Sequence, residues 1–172
     1  AMLPAFHLFV WQTLWVDPQW KQAFLTTVLS ASIGTTLAFL FAITIAMQLY
    51  PGRRWLQLRQ RLLILLAIPH AAFAIGFFFL IAPSGWLSRL MALLSVWITP
   101  ADWISVQDSY GLSLALALAI KESWFLLWVL FAVLSEHEIT KQMTIAQTLG
   151  YSRSQVWRTI LLPQLLPRMG WP

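Results

Sequence analysis

The sequence predicts an all-α integral membrane protein, and three observations carry that prediction. Apolar residues make up 59% of the 172 and charged residues 10%, against about 25% charged in soluble domains. Two uncharged runs, Gln22 to Tyr50 and about Leu62 to Ala82, reach the roughly 20 residues needed to cross a hydrocarbon core about 30 Å thick. A third, about Gly111 to Leu134, does so around an embedded Lys121-Glu122. The eleven Trp residues suit long boundaries between lipid and water.

Taken in chain order, residues 1–21 form an external segment or the remnant of a preceding helix, since Leu3–Val16 is too short to span. In the first span Thr27, Ala31, Thr35, Ala38, Ala42 and Ala46 form a stripe of small residues. Helices in lipid associate through such stripes because they permit close backbone approach. The stripe of Leu25, Leu29, Ile33, Leu37 and Leu40 then faces lipid. Pro69 kinks the second span by removing a backbone donor and crowding the preceding turn. Pro83-Ser84-Gly85 is a turn, and Leu87–Ile98, which carries Arg89, forms a short re-entrant or interfacial helix. In the third span Gly111, Ala115, Ala119 and Ser123 repeat the small-residue spacing.

Orientation follows from Lys and Arg. The connection Pro51–Arg61 holds Arg53, Arg54, Arg59 and Arg61, and Ser135–Pro172 holds Lys141, Arg153, Arg158 and Arg168. Together they carry eight of the eleven basic residues, and three spans place them on one side. The positive-inside bias makes that side cytoplasmic and the start of the chain external. Trp20, Trp86 and Trp103 then mark the outer boundary, with Tyr50 and Trp55 at the inner one. Because the basic residues sit at the ends of apolar runs and form no stripe, the net charge of +5 reports topology and no nucleic-acid partner. The arginines beside the inner boundary are also placed to meet anionic membrane lipids.

Polar residues inside spans have two readings each. A charge at mid-span costs about 2.5–3.5 kcal/mol on insertion scales, so Lys121 and Glu122 face protein or water. They lie on a translocation pathway or at a helix interface, where each pairs with another helix. Neighbouring residues point about 100° apart on a helix, so they do not neutralise each other. His70 either lines a pathway or bonds the backbone freed by Pro69, and the second is favoured. Glu136-His137-Glu138 spreads around a helix and does not converge as a metal-binding HExxH does. Cysteine is absent, which excludes a disulfide framework and Cys-based metal or redox chemistry. No nucleophile–base set or phosphate loop is present, and without a Walker A motif the chain is not an ATP-binding subunit.

The polar connection after the third span reads Thr144-Ile145-Ala146-Gln147-Thr148-Leu149-Gly150, then nine residues, then Ile160-Leu161-Leu162-Pro163. Its spacing resembles the cytoplasmic "EAA" loop of ABC importer permeases: Glu-Ala-Ala, three residues, Gly, nine residues, Ile, one residue, Leu-Pro. Ala146, Gly150, Ile160, Leu162 and Pro163 fall in register, while Thr144 and Ile145 stand where that family has Glu and Ala. A small residue lets a partner backbone sit close, Gly150 ends or bends the helix, Ser152 caps the next one, and Leu162-Pro163 breaks it. A plain amphipathic linker helix over Thr140–Leu149 is the competing reading.

The resemblance covers roughly Gln22 to Pro167 and is to type I, binding-protein-dependent importer permeases, especially the fused double permeases of the thiamine and ferric-iron type. It implies a permease domain over 22–167 with a coupling loop at about 135–163, and a truncated next span over 168–172. The implied protein is a multi-pass transport subunit of the bacterial inner membrane, not an enzyme, working by alternating access. It implies three partners: a cytoplasmic ATP-binding cassette ATPase, an external solute-binding protein and a second permease half. ATP would be held by the ATPase, with no cofactor in this chain. Two other classes stay open on the residues alone, a membrane-embedded enzyme using His70, Lys121 and Glu122, and a structural membrane protein.

Overall fold

The computed structural model describes residues 8–94 and 108–170, and among them the chain is helical with no strand. The helices are α1 (Leu8–Val16), α2 (Pro18–Leu49), α3 (Arg53–Ala67), α4 (His70–Ile81), α5 (Trp86–Leu94), α6 (Leu112–Leu134), α7 (His137–Thr148), the single turn α8 (Arg153–Val156), a π turn over Trp157–Leu161, and α9 (Leu162–Gly170). Three helical stretches are long and apolar enough to cross a membrane: Pro18–Leu49, His70–Leu94 and Leu112–Leu134.

α2 begins four residues before the predicted boundary. Asp17 accepts a hydrogen bond from the Gln19 amide at 2.8 Å and Pro18 holds the first helical position. That N-cap and proline pairing is a helix-start signal readable in the sequence. α2 packs chiefly on α6. Its buried ladder is Ser30, Gly34, Ala38, Ala42 and Ala46, facing Ala115, Ala119 and Ser123 on α6. The predicted stripe is correct for Ala38, Ala42 and Ala46, but Thr27, Ala31 and Thr35 are exposed. A strict four-residue step back from Ala46 stays on the α6-facing side, whereas the three-residue step from Ala38 to Thr35 leaves it. At Gly34 an added Cβ would lie 3.2 Å from the Ala115 carbonyl oxygen, so glycine sets the approach of the two backbones.

The second apolar run is two helices rather than one continuous span. α3 starts at Arg53, so the four arginines predicted to lie in a connection sit on helix, and it stops at Ala67 before Pro69. α4 then starts on the Pro69 carbonyl, which accepts from the Phe73 amide at 3.0 Å. Contacts along α6 show how the broken helix lies. Trp55 stacks on Phe131, with centroids 3.8 Å apart, near the C-terminal end of α6. Lys121 reaches the end of α3, and Ala74, Phe77, Phe78 and Ile81 line a pocket with Asp108, Gly111 and Ser113 at the α6 N-terminus. α3 and α4 therefore run antiparallel to α6 over its length, with the break beside its middle. The 82–85 bend separates α4 from α5, and a Cβ on Gly85 would come within 2.4 Å of the Phe79 carbonyl. The predicted short helix at Leu87–Ile98 is α5; residues 95–98 and Trp103 lie outside the described set.

The core sits at the end of the bundle where α2 stops. Ala42, Ala46, Tyr50, Trp55, Leu127, Leu130, Phe131 and Leu134 bury against Ile139, Met143, Ala146, Val156, Trp157 and Leu161 from the last third of the chain. Both arginine-rich segments meet there, as the charge distribution requires. Tyr50 and Trp55, predicted at the inner boundary, are 5% and 4% exposed inside this cluster.

Candidate functional site

The predicted loop folds as α7, a reversal, α8, the π turn and α9. The reversal is set by Gly150, whose φ of +90° places it in the left-handed region. Its amide bonds the Gln147 carbonyl and the Tyr151 amide bonds the Ala146 carbonyl, both at 3.1 Å. This double closure is the Schellman arrangement, which satisfies carbonyls orphaned at a helix end and favours glycine at the left-handed position. Two residues later Ser152 caps α8 as predicted. Its hydroxyl accepts from the Gln155 amide at 3.3 Å, and its own amide donates to the Gln155 side chain at 2.8 Å, a reciprocal capping box.

The motif residues divide between two faces. Ala146 is buried against the chain's own core and also lines the floor of the outward groove, so its small size serves internal packing and leaves the groove open. Ile145, Leu149 and Tyr151 are 59%, 72% and 50% exposed, and Thr144 is exposed beside them, its hydroxyl bonded to the Thr140 carbonyl. With Gln142, Thr159, Ile160 and Gln164 the three large side chains line one apolar groove. Gln164 donates to Gln142 at 2.9 Å and ties α9 to α7 across its floor.

Pro163 does not break the chain as predicted. The π turn immediately before it closes with a bond from the Leu162 amide to the Trp157 carbonyl, and the helix continues as α9 through Pro167. The wider turn accommodates a residue that lacks an N–H and crowds the preceding turn. Leu162 is half-buried and Pro163 exposed.

At the middle of α6, Lys121 and Glu122 diverge as predicted. Glu122 Oε1 lies 2.8 Å from His70 Nε2 at the start of α4. Lys121 is 3% exposed and donates from Nζ to the Leu65 carbonyl at 3.1 Å and the Leu66 carbonyl at 3.5 Å, with its ammonium 5.0 Å from the Trp124 ring centre. This corrects the expectation for His70. Pro69 has no N–H to give the Leu65 carbonyl, which instead accepts a 3.4 Å bond from the Ile68 amide and a 3.1 Å bond from the Lys121 cation, and none from His70. An ammonium suits that position because α3 ends there, and a helix C-terminus attracts positive charge. Lys121 is thus turned away from the His70–Glu122 pair, and the three do not converge as an active site would require. Among the described residues no group of His, Cys, Asp and Glu is placed to hold a metal, and the side chains of His137 and Glu138 lie outside that set.

Sequence reasoning missed Tyr50 and Arg153. The Tyr50 hydroxyl bonds the Leu134 carbonyl at 3.0 Å and the Thr140 hydroxyl at 3.1 Å, while the Tyr50 carbonyl accepts from the Arg153 guanidinium. The Tyr50 ring meets Trp55 and Trp157 edge-on at 5.8 and 6.4 Å. These partners are up to about a hundred residues away, so no local pattern announces them.

No protein-family model matches the chain, and no solved structure does. The chain is 42% identical over 167 residues to the inner membrane ABC transporter permease protein YnjC of Escherichia coli strain K12, an alignment covering 97% of this chain. It spans 31% of that relative's length. With that identity along nearly its whole length, and with the helices just described, the chain is similar to a stretch of a membrane permease of ABC transporters.

Proposed function

We propose that the chain is part of the transmembrane subunit of an ATP-driven importer, a multi-pass protein of the bacterial inner membrane. One observation carries the reading: the segment from α7 to α9 presents an apolar groove outward while its other face is packed into the core joining α2, α3 and α6. A surface element with both properties can receive a partner and move the spans. The partner is a cytoplasmic ATP-binding cassette ATPase, which binds the ATP; the permease chain carries no cofactor. Thr144, Ile145 and Gly150 lie on or beside the docking face, Ile160 in the groove wall and Ala146 in its floor, with Leu162 and Pro163 on the helix that follows. An external solute-binding protein delivers the solute, and a second permease half, fused or separate, completes the pathway for alternating access.

The His70–Glu122 pair belongs to that pathway or to the contact with the second half. Its side chains are 66% and 43% exposed in this chain, and charged groups at mid-span are too costly to leave against lipid. Lys121 holds the neighbouring helix break in place.

The test is co-purification of the full-length protein with candidate ATPases, comparing wild type with Leu149→Glu and Gly150→Trp. Leu149 is exposed, so the charge alters the docking face and leaves the core intact. Retention by wild type and loss of at least about tenfold in affinity for Leu149→Glu, which corresponds to about 1.4 kcal/mol, is the expected result. Equal retention by all three proteins places the ATPase elsewhere and defeats the assignment of this groove.

A further inference from the structure

We propose that Tyr50 is the positioning residue through which movement of the α7–α9 segment reaches the spans, an inference that rests on the coupling reading above. Six elements meet at this one residue, the π turn through Trp157 among them. Tyr50 terminates α2, its ring lies edge-on to Trp55 of α3, and its hydroxyl reaches the Leu134 carbonyl at the end of α6 and the Thr140 hydroxyl on α7. Its backbone carbonyl takes the guanidinium of Arg153 at the start of α8.

The chemistry of each contact is specific. The last carbonyls of a helix have no partner within it. At the end of α6 the Ser135 amide turns back to Phe131 and Ala132, and the Glu136 amide to Val133. The Leu134 carbonyl is bonded by the Tyr50 phenol. A phenol carries one donor and accepts as well, so donating to Leu134 leaves it able to accept from Thr140. The resulting chain, Thr140 to Tyr50 to Leu134, links α7 to α6 through a side chain rooted in α2. Tyr50 is 5% exposed, so water does not readily replace these partners. Apolar packing alone, such as Trp55 on Phe131, resists separation but tolerates sliding. The hydroxyl fixes register between the segment that meets the partner and both long spans.

The experiment uses the full-length protein with its co-purifying ATPase in lipid vesicles. A single cysteine replaces Leu114, which is exposed at the end of α6 remote from Tyr50, and its labelling rate by a soluble maleimide is compared without nucleotide and with ATP plus vanadate. ATPase retention and ATP turnover are measured on the same samples. Tyr50→Phe removes the hydroxyl and keeps the ring. Thr140→Val removes the surface partner without disturbing the buried ring, and Thr140→Ser restores a hydroxyl.

The expected result is that Tyr50→Phe and Thr140→Val retain the ATPase and its turnover while the nucleotide-dependent change in labelling falls roughly fivefold or more. Thr140→Ser behaves as wild type. A purely structural role for Tyr50 would lower stability and leave that split unchanged. Full labelling response in Thr140→Val and in folded Tyr50→Phe overturns the proposal while leaving ATPase docking intact. Failure of the wild type to retain any ATPase overturns the docking reading itself, and the proposal with it.

Discussion

Asp108 shows how a single carboxylate sets a helix boundary. Burial raises its pKa, but hydrogen bonds from the Ser113 hydroxyl and from the Leu112 and Ser113 amides outweigh this, so its pKa falls below the ordinary value of 3.8. A group whose folded pKa is depressed contributes stability that is fully present above the unfolded value and is lost as pH falls through the folded one. As pH falls below about 3.8 the melting temperature of the full-length protein is therefore expected to decline, and Asp108→Asn is expected to flatten that decline. An identical slope in the two proteins would remove Asp108 from the account. Gly150 makes a related point. Nothing lies within 4 Å of the position a Cβ would take there, so a substitution strains the backbone and not the packing.

Among the elements, the broken helix α3–α4 is the one whose chemistry is least local. Pro69 deprives the Leu65 carbonyl of its regular helical donor, leaving a 3.4 Å bond from the Ile68 amide that Lys121 supplements from α6. If the cation is there because of the proline, the two should be coupled. Lys121→Met is expected to destabilise the protein less in a Pro69→Ala background, where the helix can bond its own carbonyl, with an interaction of about 0.5–3 kcal/mol. Thermal melts of the four proteins in detergent measure it. Strict additivity would mean that Lys121 serves something other than the break.

For the whole molecule, the α2–α6 contact is the spine on which the remaining helices are arranged. Its closeness depends on Gly34 against Ala115. Gly34→Leu is expected to cost about 1–3 kcal/mol by forcing the backbones apart, measured as loss of folded protein on heating in detergent. Because α6 also carries the contacts to α3 and α4, the same change should lower the protection of His70 and Trp55 environments together. An unchanged melt would show that the two helices approach without needing the glycine.

Much of this architecture is local information and was legible in the chain. Apolar runs, the small-residue spacing on α6, the proline in the second run, the Ser152 cap and the Gly150 reversal each depend on residues within a turn or two of one another. The segregation of arginines placed their two segments at one end, and the spacing around Gly150 pointed to the same kind of permease as the relative it resembles. Asp17-Pro18 was equally legible as a helix start, though the apolar boundary at Gln22 obscured it. What tertiary structure alone decided is which partner each exceptional group takes. His70 went to Glu122 and Lys121 to the Leu65 carbonyl because those atoms lie on different helices, whose phase and depth follow from packing. Tyr50 went into the core for the same reason. A hydrogen-bonding group reads only what stands within about 3 Å of it, and across helices that is fixed by the fold, not by the neighbouring sequence.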